Sequence, residues 1–421
     1  MRHLALFCTL LVATPALAAP AAPATPTLAP STAATTTPPT PPPGGAVLER
    51  VVLLARHGIR SPTKDPQVLQ TQTGHAWAQW PVPPGELTKH GKQALAQMVS
   101  MVRAHYTHAG LLPQTGCPQP DSLAIWSDAK DHRTRESGSL WAEHLAPGCG
   151  LHAHALADGQ EDPIFAGSST PLSVQEQSAI AHEFAQRAHT LPPTVTQALN
   201  TLQGVLAPSA CTTDTPHCLS ANVATLAWKK DKPHLEGGIA TGGTAAENLL
   251  LEYAQGMPAQ AEPFGQTAPA PLIWQVFPLH TQESWLIRRL PTLAAHKGAA
   301  MAQAVQNTLA GKAAPGLPAS TAQARLLVLS GHDTNLDALA TLYGLDWAFT
   351  DQPDPTAPNT TLAFELWRTA HGPYIAVRLF HQGLEELRAL TLPDPTADMQ
   401  LIASGPSLQT LRPTTPAKNR P

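Results

Sequence analysis

Two short apolar runs, far apart in the chain, each break off into a cluster of charged and polar residues, and few architectures accept that pattern. Val51-Val52-Leu53-Leu54-Ala55 contains no polar residue, and neither does Leu326-Leu327-Val328-Leu329. Neither run alternates, so neither has a face meant for water; both read as strands buried on both sides of a parallel sheet. The first leads into Arg56-His57-Gly58-Ile59-Arg60-Ser61-Pro62 and the second into Ser330-Gly331-His332-Asp333-Thr334-Asn335. A third run, Leu123-Ala124-Ile125-Trp126, leads in the same way into Ser127-Asp128-Ala129-Lys130-Asp131-His132-Arg133-Thr134.

The residue types after the first run point to an oxyanion. Arg56 and Arg60 are permanently charged planar forks that each hold two oxygens, and His57 stands between them. Gly58 lets backbone approach a ligand, and Pro62 ends the element. A lone Arg-His-Gly is equally compatible with a basic loop in which the imidazole only packs. The longer string, Arg56-His57-Gly58-Ile59-Arg60-Ser61-Pro62, resembles the signature of the histidine acid phosphatases. Gly331-His332-Asp333 resembles that family's second hallmark, and Asp131-His132-Arg133-Thr134 its Asp-x-Arg-Thr.

The resemblance implies roles. His57 is the nucleophile, Arg56, Arg60, Arg133 and His332 hold the phosphate, and Asp333 protonates the leaving oxygen. Thr63 and Lys64 resemble the phytase side of the family, where such groups meet further phosphates. Glu247 and His280 are carried as pocket residues, Glu247 at a helix start where a solvated carboxylate is equally at home. The run Ala254-Gln255-Gly256-Met257-Pro258 also resembles the enteric phytases. The implied fold is α/β, a mixed and mostly parallel sheet covered by helices on both faces, with an inserted, mainly helical lid. The absence of extra cysteines near the C-terminus departs from the enteric pattern.

Composition bounds the alternatives. With 421 residues and a 43% hydrophobic fraction the chain can fill one large or two ordinary cores. A formal charge of −4, with 13% charged residues, leaves no field that would gather nucleic acid. Arg2, the apolar stretch Leu4 to Ala13 and Ala16-Leu17-Ala18 read as an export signal over 1–19, too short to span a bilayer. The expected location is therefore periplasmic or secreted, as a monomer without membrane contact after cleavage. Residues 20–45, rich in Pro, Ala and Thr, read as a spacer that cannot offset its own ordering entropy.

Beyond the signal stand Cys117, Cys149, Cys211 and Cys218, an even set suited to an oxidising compartment. Three pairings are open; Cys117 with Cys149 and Cys211 with Cys218 is favoured because the second closes a short loop rich in Thr, Asp and Pro. A zinc site is disfavoured, since there is no close C-x-x-C pair and no grouped histidines.

Along the rest of the chain, Gln67 to Glu86 reads as an irregular loop. Thr88 reads as the N-cap of a helix in which Leu95, Met98, Val99, Val102 and Tyr106 recur at spacings of three and four. Residues 167–255 form the expected lid, with helices over Gln175 to Ala188 and Ala245 to Tyr253. A helix is expected from Leu279 to Met301, and adjacent strands at Leu362–Trp367 and Tyr374–Phe380. Residues 46–166 and 256–412 then make the catalytic domain.

The chemistry this allows is hydrolysis of phosphate monoesters. Three guanidiniums neutralise the equatorial oxygens in a loose transition state, and a neutral imidazole forms a phosphohistidine. No metal or other cofactor is required, because the arginines take that place, and no phosphate-cradling Gly-rich loop is present. Small phosphate esters are the expected partners, phytate among them. A glucose-1-phosphatase or broad sugar-phosphate phosphatase is the alternative within the class; a protein that binds phosphate ligands without turning them over is the alternative outside it.

Overall fold

The computed structural model describes residues 42–213, 217–257 and 269–413. All of these lie in one compact unit, Thr37–Pro421. The expected signal and all but the last four residues of the expected spacer fall outside the described residues, as does Pro258.

Nine strands appear in chain order: β1 (Val47–Arg56), β2 (Leu123–Ser127), β3 (Thr225–Lys229), β4 (Lys232–Glu236), β5 (Leu326–Gly331), β6 (Thr361–Thr369), β7 (Gly372–Phe380), β8 (Met399–Gly405) and β9 (Arg412–Pro413). Seven of them make one sheet in the order β2-β5-β1-β6-β7-β8-β9. The three apolar runs are its parallel half, with Val51 facing Leu326 and Arg56 facing Gly331 across β1 and β5. The other half is antiparallel. The sheet is mixed, as expected, but antiparallel pairings outnumber parallel ones. The reason is local: β6 and β7 are joined by a two-residue turn, and only an antiparallel neighbour is within reach of so short a link.

Alternation along β1 sends its side chains to two separate cores. Val52 and Leu54, with Leu327 and Leu329, meet Met301, Val305 and Leu309 of the helix Pro291–Leu309 and Leu336 and Leu339 of the helix Asp333–Leu342. Val51, Leu53, Leu326 and Val328 meet Leu95, Met98, Val99 and Tyr106 of the helix Lys89–His108. Thr88 caps that helix, its hydroxyl accepting from the Gly91 N–H at 2.9 Å. Complete burial of these side chains contributes about 1.5–3 kcal/mol apiece.

A third core lies in the helical part, built by the helices Val174–Ala188, Pro193–Leu206, Gly238–Ala254, Pro269–Val276 and Pro278–Glu283. Three expectations need correction here. The helix expected from Ala245 begins seven residues earlier, because Gly238, Gly242 and Gly243, which look like breakers, are contact points; a Cβ on Gly238 would stand 1.9 Å from the Leu219 carbonyl oxygen. The hairpin β3–β4 interrupts the helices of the insert. The single helix expected over Leu279 to Met301 is broken, with a π-helical turn at Ser284–Arg288 and a fresh start at Pro291. Elsewhere, Gln67 to Glu86 is not wholly irregular, since Asp65 caps a short helix, Pro66–Thr73. Both favoured disulfides, Cys117–Cys149 and Cys211–Cys218, are present. No helix among the described residues is long and apolar enough to cross a membrane.

Candidate active site

The C-terminal ends of β1, β2 and β5 meet at one point. His57 N–H donates to the Gly331 carbonyl at 3.1 Å, and Asp128 N–H to the Ser330 carbonyl at 3.0 Å, so the ladders tie the three polar loops together beyond the strands. Ile59 rests against Gly91, where a Cβ would lie 2.2 Å from the Ile59 carbonyl oxygen. That contact admits no side chain at position 91 and seats the loop on the N-terminus of the helix Lys89–His108.

His57 is 2% exposed and its Nδ1 lies 2.9 Å from the Gly58 carbonyl oxygen. A carbonyl only accepts, so Nδ1 carries the proton and Nε2 is left with its lone pair. Burial first, then the guanidiniums of Arg133, Arg60 and Arg56, hold the imidazole well below its ordinary pKa. It is therefore a neutral ring with a free nitrogen among cations.

The arginines are held by carboxylates. Arg56 Nη2 is 2.6 Å from Glu247 Oε1 and its Nη1 is 2.9 Å from Asp354 Oδ2, with a further bond to the Thr356 carbonyl. Arg60 Nη2 shares Glu247 Oε1 at 3.0 Å. Arg133 is fixed from the other side by Asp131, at 2.9 Å. Burial and the nearby Arg60 lower the Arg133 pKa, a sign that two like charges have been brought close. His332 Nε2 lies 2.8 Å from Asp128 Oδ2, and its ring stands edge-on to His57 with centroids 5.6 Å apart. The Asp128 carboxylate only accepts, so Nε2–H of His332 is committed to it.

Asp333 opens the helix Asp333–Leu342, where the N-terminal dipole favours an anion. Its Oδ2 is 2.7 Å from Arg288 Nη1 and 3.8 Å from Arg56 Nη2. Burial opposes its charge, but Arg288 and then Arg56, His280 and His57 hold the carboxyl well below the usual range. Held down in this way, the Asp333 carboxyl of the free site is ionised, so a proton for a leaving oxygen has to reach it from elsewhere. Arg288, unassigned from sequence, is the missed residue. It stands next to an identical side chain, Arg289, and the π-helical turn decides which of the two meets Asp333. Asp354 was also missed, because a Pro-rich loop before a strand gives no sign of a guanidinium behind it.

The outer residues are more varied. Glu247 is in the middle of the helix Gly238–Ala254 rather than at its start, and it is paired rather than solvated; burial opposes its charge, yet Arg60 and Arg56 bring its pKa down to about 2. His280 is 3% exposed, with both ring nitrogens lacking a hydrogen-bond partner among the described residues, and it acts electrostatically on Glu247 and Asp333. Thr63 is exposed at the rim, with Gly85 between it and Arg133. Lys64 is also exposed, but its Nζ is turned to Gln72 Oε1 at 2.9 Å.

This geometry has counterparts. A family model described as the histidine phosphatase superfamily (branch 2) matches residues 47–224. The phytase AppA of Escherichia coli (strain K12) is 31% identical over 380 residues, covering 85% of this chain and 87% of that protein. The glucose-1-phosphatase of Salmonella typhimurium is 24% identical over 391 residues, covering 86% and 88%. Among solved structures, Hafnia alvei phytase in complex with myo-inositol hexakis sulphate superposes with a TM-score of 0.78 at 29% identity, covering 88% of this chain and 95% of that one.

Proposed function

That the chain belongs to the histidine phosphatase superfamily, branch 2, and is a phosphomonoesterase is the premise from which we propose its chemistry: it hydrolyses phosphate esters through a phosphohistidine on His57, with inositol polyphosphates among its substrates. The observation that carries the reading is the neutral, buried His57 whose Nδ1 proton is given to Gly58, so that Nε2 faces a ligand with its lone pair free.

Arg56, Arg60 and Arg133 take the equatorial oxygens as negative charge spreads over them, with His332 as a further phosphate-binding group. The Nε2–P bond forms as the ester P–O bond breaks, and the departing oxygen takes a proton from Asp333. Water then attacks phosphorus as the Nε2–P bond breaks, giving a proton to Asp333, which passes it to the departing phosphate; phosphate leaves as the monoanion and His57 and the ionised Asp333 are restored. Because Asp333 is ionised in the free site, the proton arrives with the substrate as a phosphate monoanion. The incoming charge occupies Arg56 and so weakens one of the two guanidiniums that depress Asp333.

Two features support the inositol phosphate reading: the 31% identity to a phytase, and the fold shared with a phytase solved with myo-inositol hexakis sulphate. The N-terminal signal pattern and the two disulfides support a periplasmic or secreted enzyme. In an alkaline denaturing quench, which spares the acid-labile N–P bond, after mixing with a 32P-labelled ester, label is expected on the wild-type chain and absent from His57→Ala. Absence of label from the wild type would refute covalent catalysis.

A further inference from the structure

Near the loop that carries Asp354, three segments converge on one imidazole. His381 directly follows β7, Asp398 directly precedes β8, and Asp351 lies in the loop whose Asp354 holds Arg56. His381 Nε2 is 2.9 Å from Asp351 Oδ1 and 3.9 Å from Asp398 Oδ1, and the three ligand atoms all lie within 4.8 Å of one another. We propose that Asp351, His381 and Asp398 form a structural site for one divalent first-row cation, Zn²⁺ being the probe, separate from the phosphate pocket.

Several independent features point to a ligand here. Asp398 is 0% exposed, yet its Oδ1 has no hydrogen-bond partner among the described residues, and it faces the imidazole. The other oxygen of Asp398 is already bound by the Asp394 N–H. The Glu386 carboxyl lies beside Asp398 as a third acidic group, close enough for the two to share a proton, and no Lys or Arg pairs with Asp351, Asp398 or Glu386 among the described residues. The imidazole is aimed rather than loose: Phe349 stacks on it at 3.8 Å with planes 11° apart. Gly383 forms the floor, since a Cβ there would stand 2.8 Å from Asp351 Oδ2.

The donor set selects the class. One imidazole and two carboxylates suit Zn²⁺ and its first-row neighbours, whereas Ca²⁺ and Mg²⁺ prefer oxygen alone. Ligand atoms about 2.0–2.2 Å from a tetrahedral ion stand about 3.4 Å from one another, so the half-exposed Asp351 adjusts its rotamer to meet the ion and water fills the open position. To bind the ion through Nε2, the neutral His381 ring carries its proton on Nδ1, and the Nε2 hydrogen bond to Asp351 is exchanged for bonds from both groups to the ion. The ion joins three segments and holds in place the loop that carries Asp354.

The test uses the full chain, chelated and dialysed, then loaded with Zn²⁺. One retained ion per chain and a rise in Tm of about 2–5 °C are expected. His381→Gln and Asp398→Asn should lose both; Asp351→Ala, at a solvent-facing position, serves if those two fold poorly. A wild type that retains no Zn²⁺, or variants that retain as much as the wild type, would overturn the site. A Tm rise with Ca²⁺ and none with Zn²⁺ would overturn the cation class.

Discussion

Arg288 Nη1 lies 2.7 Å from Asp333 Oδ2, closer than Arg56 Nη2 at 3.8 Å. The carboxyl proposed for proton transfer is thus governed by a residue that no signature motif contains. In the proposed mechanism Asp333 is ionised in the free enzyme, and the proton rides on the substrate. The kcat/KM for an alkyl phosphate should therefore fall as pH rises through the second ionisation of the ester, about pH 6. Its acid limb should lie low, where Asp333 takes up a proton. Arg288→Gln removes the main charge depressing Asp333, so that limb should move to higher pH by about 1 unit or more. An unchanged limb would show that Arg288 does not govern the carboxyl.

Asp333→Asn keeps the shape and removes the acid. Turnover of an alkyl phosphate should drop about 10²–10⁴-fold, and that of a nitrophenyl ester, whose leaving group needs little protonation, much less. Equal losses on the two substrates would remove Asp333 from proton transfer.

Glu247 occupies guanidinium nitrogens of both Arg56 and Arg60. Glu247→Gln should free positive charge toward the pocket and tighten inhibition by inorganic phosphate, while kcat falls because the two forks lose their alignment. Measured inhibition constants decide it; weaker phosphate binding would mean that Glu247 matters chiefly for holding the arginines in place.

Gly91→Ala places a methyl where the Ile59 carbonyl already stands. Stability should fall by about 1–3 kcal/mol, the ordinary range for overpacking, and activity should fall with it because Ile59 belongs to the loop of His57 and Arg60. Thermal unfolding and turnover of one preparation test the coupling; lost stability with full activity would break it.

The two disulfides should differ in weight. Cys117 and Cys149 are 32 positions apart and Cys211 and Cys218 only 7. Loop-closure entropy gives about 3.7 kcal/mol for the first and about 2.4 kcal/mol for the second. Cys117→Ser/Cys149→Ser should accordingly unfold at lower denaturant than Cys211→Ser/Cys218→Ser.

Much of the reaction centre was legible because its residues follow apolar runs that can only be central strands. Val51 to Ala55 and Leu326 to Leu329 are buried without exception, and the polar residues after them fall at the strand ends. Thr88 was legible for an equally local reason, its hydroxyl ahead of a helical repeat. Glu247 was misplaced because glycines weigh as breakers in a sequence, whereas Gly238, Gly242 and Gly243 are there for tight packing against Leu219, Leu279 and Glu283. Arg288 was unreadable since one extra residue per turn, at Ser284–Arg288, shifts the phase that periodicity relies on. The antiparallel pair β6 and β7 was within reach of the sequence because the turn between the two runs is short, whereas β8 and β9, which extend the antiparallel half, were not expected as strands.

Arg56 sits opposite Gly331 in the ladder between β1 and β5, so the loops bearing the proposed nucleophile and the proposed acid hang from neighbouring rungs of one rigid frame. The helical insert contributes none of the rungs and reaches the site through Glu247, which holds Arg56 and Arg60. Insertions and deletions elsewhere in that insert can therefore change which esters are admitted while leaving the reacting groups in register, and selection for a new diet of substrates need not reopen the chemistry so long as that one carboxylate keeps its place.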